Sequence, residues 1–223
     1  MNLPVMKKRL YAAALLLAAG LFCSCNGIFE GIYDTPASAG ETEFGFIRED
    51  PLTRTGRIYI DATAYTEWHY ISLHDKTVKT AAVGDEAAVP ERWDFAVHRY
   101  DAKTCGGAVL ETEAEAFGSL PPAGVLAQMP FEPDRRTDDR ITVDMSQMMD
   151  GIIVYAEDDY NPVLSRWLKV DTSVMPPVYT LSNRIYVLRL QDGTCAALRL
   201  TNFMNDAAVK GFMTIDYCYP IEL

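Results

Sequence analysis

Apolar and polar residues alternate in short runs along most of this chain, and glycine, proline, asparagine or aspartate residues separate the runs. An alternation of period two places successive side chains on opposite faces of a β-strand. From residue 57 onward, no amphipathic pattern of helical period continues beyond a turn or two. The pattern therefore predicts one antiparallel all-β domain, with strands at 57–61, 68–73, 93–100, 108–112, 141–143, 152–155, 167–170, 186–190, 195–200 and 211–219.

Two segments carry the sharpest local predictions. Asp192-Gly193 lies between two apolar runs, and Asp-Gly suits a two-residue type I′ turn because both central residues need positive φ. A β-hairpin is predicted there. The run 93–107 alternates Trp93, Phe95 and Val97 against polar or small residues and ends in two glycines, which predicts a half-buried strand leading into a glycine turn.

Residues 117–140 differ from the rest because four prolines interrupt them and residues 134–140 are densely charged. This composition predicts a surface excursion. The charged run is interpreted as a solvated loop in preference to a partner-binding contact.

The N-terminus has the order of a lipoprotein signal peptide. Lys7-Lys8-Arg9 is followed by an apolar run over 10–22, and Ser24 supplies a small residue before Cys25. We expect a signal peptide at 1–24, acylation of Cys25, a tether with a partly packed edge segment at 25–56, and the β domain at 57–223. An uncleaved signal anchor is the alternative.

The net charge and the cysteine content limit which partners and which disulfides are expected. The formal net charge is −11, and removal of the three basic residues with the signal peptide makes it −14 (−11 − 3). So acidic a chain repels phosphate backbones, so nucleic acid is not an expected partner. The three remaining cysteines, at 105, 195 and 218, allow at most one disulfide and are interpreted mainly as small apolar side chains.

No common catalytic motif is present. The sequence has no Gly-Xaa-Ser-Xaa-Gly, no zinc-protease helix, no phosphate-binding glycine loop and no EF-hand spacing. Of the only three histidines, we expect His98 to be packed inside and His69 and His74 to lie at the surface or rim. The chain is therefore not expected to be an enzyme.

The segments Tyr59 to Tyr70 and Trp93 to Gly107 resemble the HmuY family, the haem-capturing surface lipoproteins of Bacteroidetes. The resemblance implies an all-β domain that holds haem in a cleft between hairpin-like extensions, with two axial side chains on the iron. Both ligands are histidines in the best-known members, but no histidine follows His98 in this chain.

Some relatives use methionine instead, and the resemblance leads to the hypothesis that Met149 and Met175 are the axial pair of the haem iron. Met148 and Met145 are substitutes for the first ligand. Thioether ligation favours ferrous haem more than imidazole does. The alternative is that these methionines merely fill irregular apolar gaps.

The resemblance also implies a location and partners. We expect a lipid-anchored haemophore on the outer membrane, at the cell surface or released outside, that binds haem non-covalently and passes it to a TonB-dependent transporter. Host haemoproteins are a candidate source of the haem. Two alternatives remain: a surface lipoprotein that binds glycan or host protein without haem, and the same fold with an iron-free porphyrin or another tetrapyrrole as cargo.

Overall fold

The computed structural model describes residues 43–223, almost all of which lie in strands or short connections. The expected signal peptide, Cys25 and most of the expected tether lie outside this range. Within residues 43–223 the chain forms fifteen strands and one α-helix, with four short 3-10 turns between them. They are β1 (Gly45–Asp50), β2 (Thr55–Asp61), β3 (Glu67–Ser72), β4 (Thr77–Ala82), β5 (Phe95–His98), β6 (Asp101–Thr104), β7 (Ala108–Glu111), α1 (Ala123–Leu126), β8 (Glu132–Pro133), β9 (Arg135–Asp144), β10 (Val154–Tyr160), β11 (Leu168–Asp171), β12 (Val178–Leu181), β13 (Tyr186–Arg189), β14 (Cys195–Met204) and β15 (Lys210–Ile221).

Two antiparallel sheets pack face to face. A seven-stranded sheet has the order β1-β2-β15-β14-β13-β7-β8, and a four-stranded sheet has the order β4-β3-β5-β6. Their inner faces share one apolar core, to which β2 contributes Ile58, β5 contributes Phe95 and β14 contributes Leu198. The expected all-β architecture is confirmed.

Two further strand pairs stand apart from these sheets. β9 pairs with β10, and β11 pairs with β12, each as a separate antiparallel hairpin. On β9, Ile141 is fully buried beside Trp68 in the apolar cluster on the outer face of the four-stranded sheet. The hairpin is therefore anchored to the four-stranded sheet.

The hairpin predicted around Asp192-Gly193 is present, but its turn type is not the predicted one. Tyr186–Arg189 pairs with the start of β14, and the Gly193 amide donates to the Leu190 carbonyl at 3.0 Å. Gly193 has φ of 86°, whereas Asp192 does not have positive φ. A type I′ turn is thus excluded, because it needs positive φ at both positions.

The structure corrects the prediction for 93–107. β5 is buried on both faces rather than half-buried, because the core covers Phe95 while Trp68 covers Ala96. Trp93 precedes the strand and packs with the cluster around Trp68 on the outer face of the sheet, so it does not share the face of Phe95. The chain then reverses at Arg99-Tyr100 and forms β6 before it reaches the glycines.

Residues 117–140 are also corrected in part. Leu126 of α1 is buried against the outer face of the seven-stranded sheet, so this segment covers apolar surface. The charged run is not a loop: Arg135 and its successors form β9, which pairs with β10. A paired ribbon whose side chains face mainly water can accept charges along its whole length.

Candidate functional site

A cleft of about 320 Å³ opens between the two hairpins. Both hairpins and the turn between β5 and β6 supply its walls. The volume lies at the lower end of the range of small-molecule pockets. The lining residues are Tyr65, His98, Arg99, Tyr100, Asp101, Arg140, Thr142, Met145, Ser165, Leu168, Val170 and Thr172.

The β5–β6 turn places polar groups in this cleft. His98 pairs with Asp101 across the turn, so Arg99 and Tyr100 are its two central residues. Arg99 has φ of 52°, a left-handed conformation that non-glycine residues adopt rarely and at a cost in free energy. The turn is therefore a strained point at the cleft.

His98 is buried in the sandwich. Burial lowers its pKa, and the hydrogen bond from its Nε2 to the Tyr65 carbonyl, at 2.8 Å, opposes that shift only in part. Its ring packs against Trp68 with centroids 5.3 Å apart. The expectation of a packed, hydrogen-bonded His98 is confirmed, although the residue also borders the cleft.

The charged groups of the cleft do not balance. Arg140 Nε lies 2.5 Å from Asp101 Oδ1, which forms an ion pair. Arg99 adds a second guanidinium, so the cleft carries two positive charges and one negative charge, a formal sum of +1. The chain as a whole has a net charge of −11, so this cleft differs in sign from the protein around it.

The candidate methionines lie on the two hairpins, at different depths. Met148 and Met149 occupy the 3-10 turn at the end of the β9–β10 hairpin, and Met149 is 91% exposed. Met175 lies between β11 and β12 and is 84% exposed. Met145 is half-buried and lines the cleft. The fold thus brings Met145 to the cleft wall and places Met149 and Met175 at the two hairpin ends.

Exposed apolar side chains concentrate at these same hairpin ends. Among the described residues, twelve large hydrophobic side chains are exposed, and eight of them fall within 148–155 or 174–178. Scattered exposed apolar residues are normal, but a concentration of them indicates a binding surface. The eight are Met148, Met149, Ile152, Val154, Tyr155, Val174, Met175 and Val178.

The other two histidines lie away from this cleft. His69 is buried, contrary to the expectation of a surface position, because β3 is an inner strand of its sheet. His74 is partly exposed, and its two ring nitrogens contact Asp94 and Asp192 at 3.0 and 2.9 Å. Burial would lower the pKa of His74, but hydrogen bonds and attraction from these carboxylates outweigh burial and raise it.

Residues 43–223 contain neither a membrane-spanning helix nor a cluster of metal ligands nor a disulfide. No helix in this range is long and apolar enough to cross a membrane. Nor do three or more His, Cys, Asp or Glu side chains in it converge as a metal site. Cys105, Cys195 and Cys218 are free thiols, so the single disulfide that the sequence allowed is not formed.

The HmuY protein family model matches residues 64–217, which span both sheets and both hairpins. The chain belongs to the HmuY family. The HmuY family is a family of haem-binding proteins. No curated protein matches the chain.

Solved structures of several bacterial proteins share this HmuY fold. A protein of Bacteroides vulgatus described as HmuY-like and haem-binding is 53% identical, with a TM-score of 0.74, over 81% of this chain and 100% of that one. A lipoprotein of Bacteroides fragilis is 47% identical, with a TM-score of 0.74, over 83% and 100%. The apo HmuY analogue of Tannerella forsythia is 26% identical, with a TM-score of 0.63, over 73% and 94%.

Sequence reasoning missed several residues that line the cleft of this HmuY-family protein. The alternation predicts a strand through Arg99 and Tyr100, and the charge density predicts a solvated loop at Arg140. The alternation does break after His98, where an arginine and a tyrosine stand between two polar residues, but no glycine marks the turn. Tyr65 lies in a connection before β3, where no periodic pattern identifies its role.

Proposed function

We propose that this protein binds haem without covalent attachment in the cleft between its two hairpins, with Met149 and Met175 as axial ligands. One observation carries the proposal: each hairpin that flanks the cleft ends in a highly exposed methionine, 91% exposed for Met149 and 84% for Met175. An exposed thioether at each of two opposing ends suits ligation of one iron from two sides.

The surroundings of these methionines favour a broad apolar ligand. The exposed apolar side chains at the two hairpin ends would lose contact with water against a porphyrin face, at about 25 cal/mol per Å² of apolar surface buried. Methionine is flexible and polarisable, which lets its side chain adapt to such a face. Met148 and Met145 remain substitutes for the first ligand, and Met145 is the one that already lines the cleft.

The family and the relatives support the same cargo. The family model covers both hairpins, and the 53% identical relative from Bacteroides vulgatus is described as haem-binding. Thioether ligation stabilises the ferrous state relative to imidazole ligation, so affinity should depend on the redox state of the iron. The chain has no Cys-Xaa-Xaa-Cys-His, the motif for covalent haem attachment.

The cellular role follows from the N-terminal sequence and the family. We propose that acylated Cys25 anchors the mature protein to the outer membrane, where it captures haem and passes it to a TonB-dependent transporter. A relative from Bacteroides fragilis is likewise described as a lipoprotein. Because the multiple acyl chains of a lipoprotein bind a membrane durably, the acidic domain needs no basic surface for its attachment. Haem released by host haemoproteins would then be within its reach.

A visible-absorption titration tests the proposal. The purified protein is titrated with haem under oxidising and reducing conditions, followed at the Soret band, beside Met149→Ala, Met175→Ala and the double variant. Val125→Ala is the matched control, because Val125 is another exposed apolar residue but lies outside both hairpins. We expect both methionine variants to bind ferrous haem more weakly and with altered spectra, and the control to match the parent.

Each alternative predicts a different result. Failure to bind any tetrapyrrole in either redox state would overturn haem binding and favour a glycan or protein ligand. Equal affinity for haem and iron-free porphyrin would overturn the proposed axial ligation but would still support tetrapyrrole binding in the cleft. Unchanged spectra in both single variants would overturn the proposal that Met149 and Met175 are the axial ligands. Met145→Ala and Met148→Ala would then be compared.

A further inference from the structure

Arg99 is a cation with which no carboxylate of residues 43–223 forms an ion pair. Its Nη1 donates to the Thr63 carbonyl at 2.6 Å and its Nη2 to the Tyr100 hydroxyl at 3.2 Å. Its Nε is buried and has no hydrogen-bond partner among residues 43–223, and no described carboxylate forms an ion pair with it. A guanidinium that is partly buried with only neutral partners retains the capacity to bind an anion.

The surroundings of Arg99 fix its guanidinium in place. The rings of Tyr65 and Tyr100 lie 4.4 and 5.1 Å from the guanidinium carbon. Gly211 lets the guanidinium approach the backbone closely, since a Cβ at that glycine would lie only 2.8 Å from Nη1. An anchored guanidinium loses little conformational entropy when it accepts a ligand.

The backbone conformation of Arg99 points the same way. Arg99 occupies the turn with φ of 52°, where glycine would be the unstrained choice. Residues held in such conformations cluster at ligand sites. The arginine is thus held at a strained position on the wall of the candidate cleft.

We propose that Arg99 binds a carboxylate of the ligand, so that the cleft selects tetrapyrroles with free propionate groups over their esters. This inference rests on the proposed haem-binding function. The positive sum of charges in the cleft supports it, because Arg140 is already paired with Asp101 and Arg99 supplies the unbalanced charge. An arginine bound to a carboxylate through charge-assisted hydrogen bonds is among the stronger polar contacts in proteins.

The test compares protohaem with protohaem dimethyl ester, in which both carboxylates are blocked while the iron is unchanged. Both are titrated in the same detergent, in the ferrous state, against the full chain and Arg99→Gln, Arg99→Lys and Arg92→Gln. The parent is expected to bind the free acid about 10-fold to 100-fold more tightly than the ester, the value of one charge-assisted hydrogen bond.

The variants separate ligand binding from a purely structural role. Arg99→Gln should weaken binding of the free acid but not of the ester, which removes the preference; Arg99→Lys should keep part of it. Arg92 is exposed, pairs with Asp75 and lies outside the cleft, so Arg92→Gln should change neither affinity. Loss of fold alone would lower both affinities together.

Two results would overturn the inference. One is equal affinity of the parent for acid and ester with normal axial ligation, which would leave the proposed haem binding intact. The other is a full preference for the acid in Arg99→Gln. Absence of binding to either compound would instead overturn the proposed function. If Arg99→Gln fails to fold, the ratio measured for the parent and for Arg99→Lys decides.

Discussion

The two packed sheets and the two hairpins beside them are built from the same kind of strand, yet they bury their side chains very differently. β5 is buried along its whole length, whereas most of β9 and β10 is exposed. The hairpins also expose several large apolar side chains at their ends. We therefore expect the sheets to supply most of the stability, and the proposed haem binding to depend on the hairpins.

The junction between these regions is polar and well connected. Trp68 Nε1 and Lys103 Nζ both donate to the carboxylate of Asp158 on β10, at 2.8 Å each. Asn161, which follows β10, is fully buried. Its Oδ1 accepts hydrogen bonds from the backbone amides of Val163 and Leu164. The β9–β10 hairpin is thus held to the four-stranded sheet by polar contacts as well as by Ile141.

The largest expected effect separates core from hairpin. Phe95→Ala removes a fully buried ring from the shared core, so the free energy of unfolding should fall by about 3 to 5 kcal/mol. Urea unfolding followed by tryptophan fluorescence measures it. A loss below about 1 kcal/mol would mean that the sheets do not supply most of the stability.

Breaking the junction should have the next largest effect. Asn161→Ala leaves the amides of Val163 and Leu164 without their acceptor inside the protein, at a cost of about 1 to 3 kcal/mol in the free energy of unfolding. Hydrogen exchange of β10 should also accelerate. The control is Asn205→Ala, which removes two comparable bonds in an exposed loop and should cost less. Equal losses would contradict a special role for the junction.

A third variant tests a contact between the two sheets that involves neither the β9–β10 hairpin nor the β11–β12 hairpin. His74 on the connection after β3 bridges Asp94 and Asp192, and its pKa in the folded state is raised above the ordinary value of 6.5. The bridge therefore stabilises the fold fully below the unfolded pKa, and this stabilisation disappears as pH rises through the folded pKa. Its size should be about 1 kcal/mol or less, because the site is partly exposed.

The measurement is the free energy of unfolding of the parent and His74→Gln as a function of pH. The difference between them should be greatest at acidic pH and should shrink toward alkaline pH. A difference that grows with pH would show that the imidazolium is not the stabilising form.

The smallest expected effect sharpens the comparison most. Met149→Ala and Met175→Ala change highly exposed side chains, so each should alter the free energy of unfolding by about 0.5 kcal/mol or less. The same variants are expected to weaken haem binding. Thermal unfolding without ligand measures the first effect, and a large destabilisation would mean that these methionines pack within the fold.

Periodicity predicted most of the sheet strands, because burial on one face leaves a direct alternation in the sequence. The prediction from periodicity failed for strands whose two faces are both buried or both exposed to solvent. β5 carries apolar side chains toward two different clusters, and β9 carries charges on a ribbon that faces mainly water. β6 was missed because the turn before it uses Arg99 and Tyr100, without a glycine to mark it.

The candidate site was accessible to sequence reasoning only in part. The candidate methionines could be proposed from the family resemblance and the absence of later histidines, and their role as ligands stays a prediction. The walls of the cleft could not be predicted, because Tyr65, Arg99, Arg140 and Leu168 come from four separated parts of the chain.

The sequence by itself determined that this chain forms short strands and turns, since local alternation and turn residues depend only on neighbours along the chain. Tertiary structure decided which strands meet. β15 lies between β2 and β14, with Ile215 opposite Ile58 across more than half of the chain. It also decided that two hairpins stand beside one cleft, and that Arg99 lies on the wall of this cleft. Such features depend on contacts between distant residues, and a periodic pattern carries no information about them.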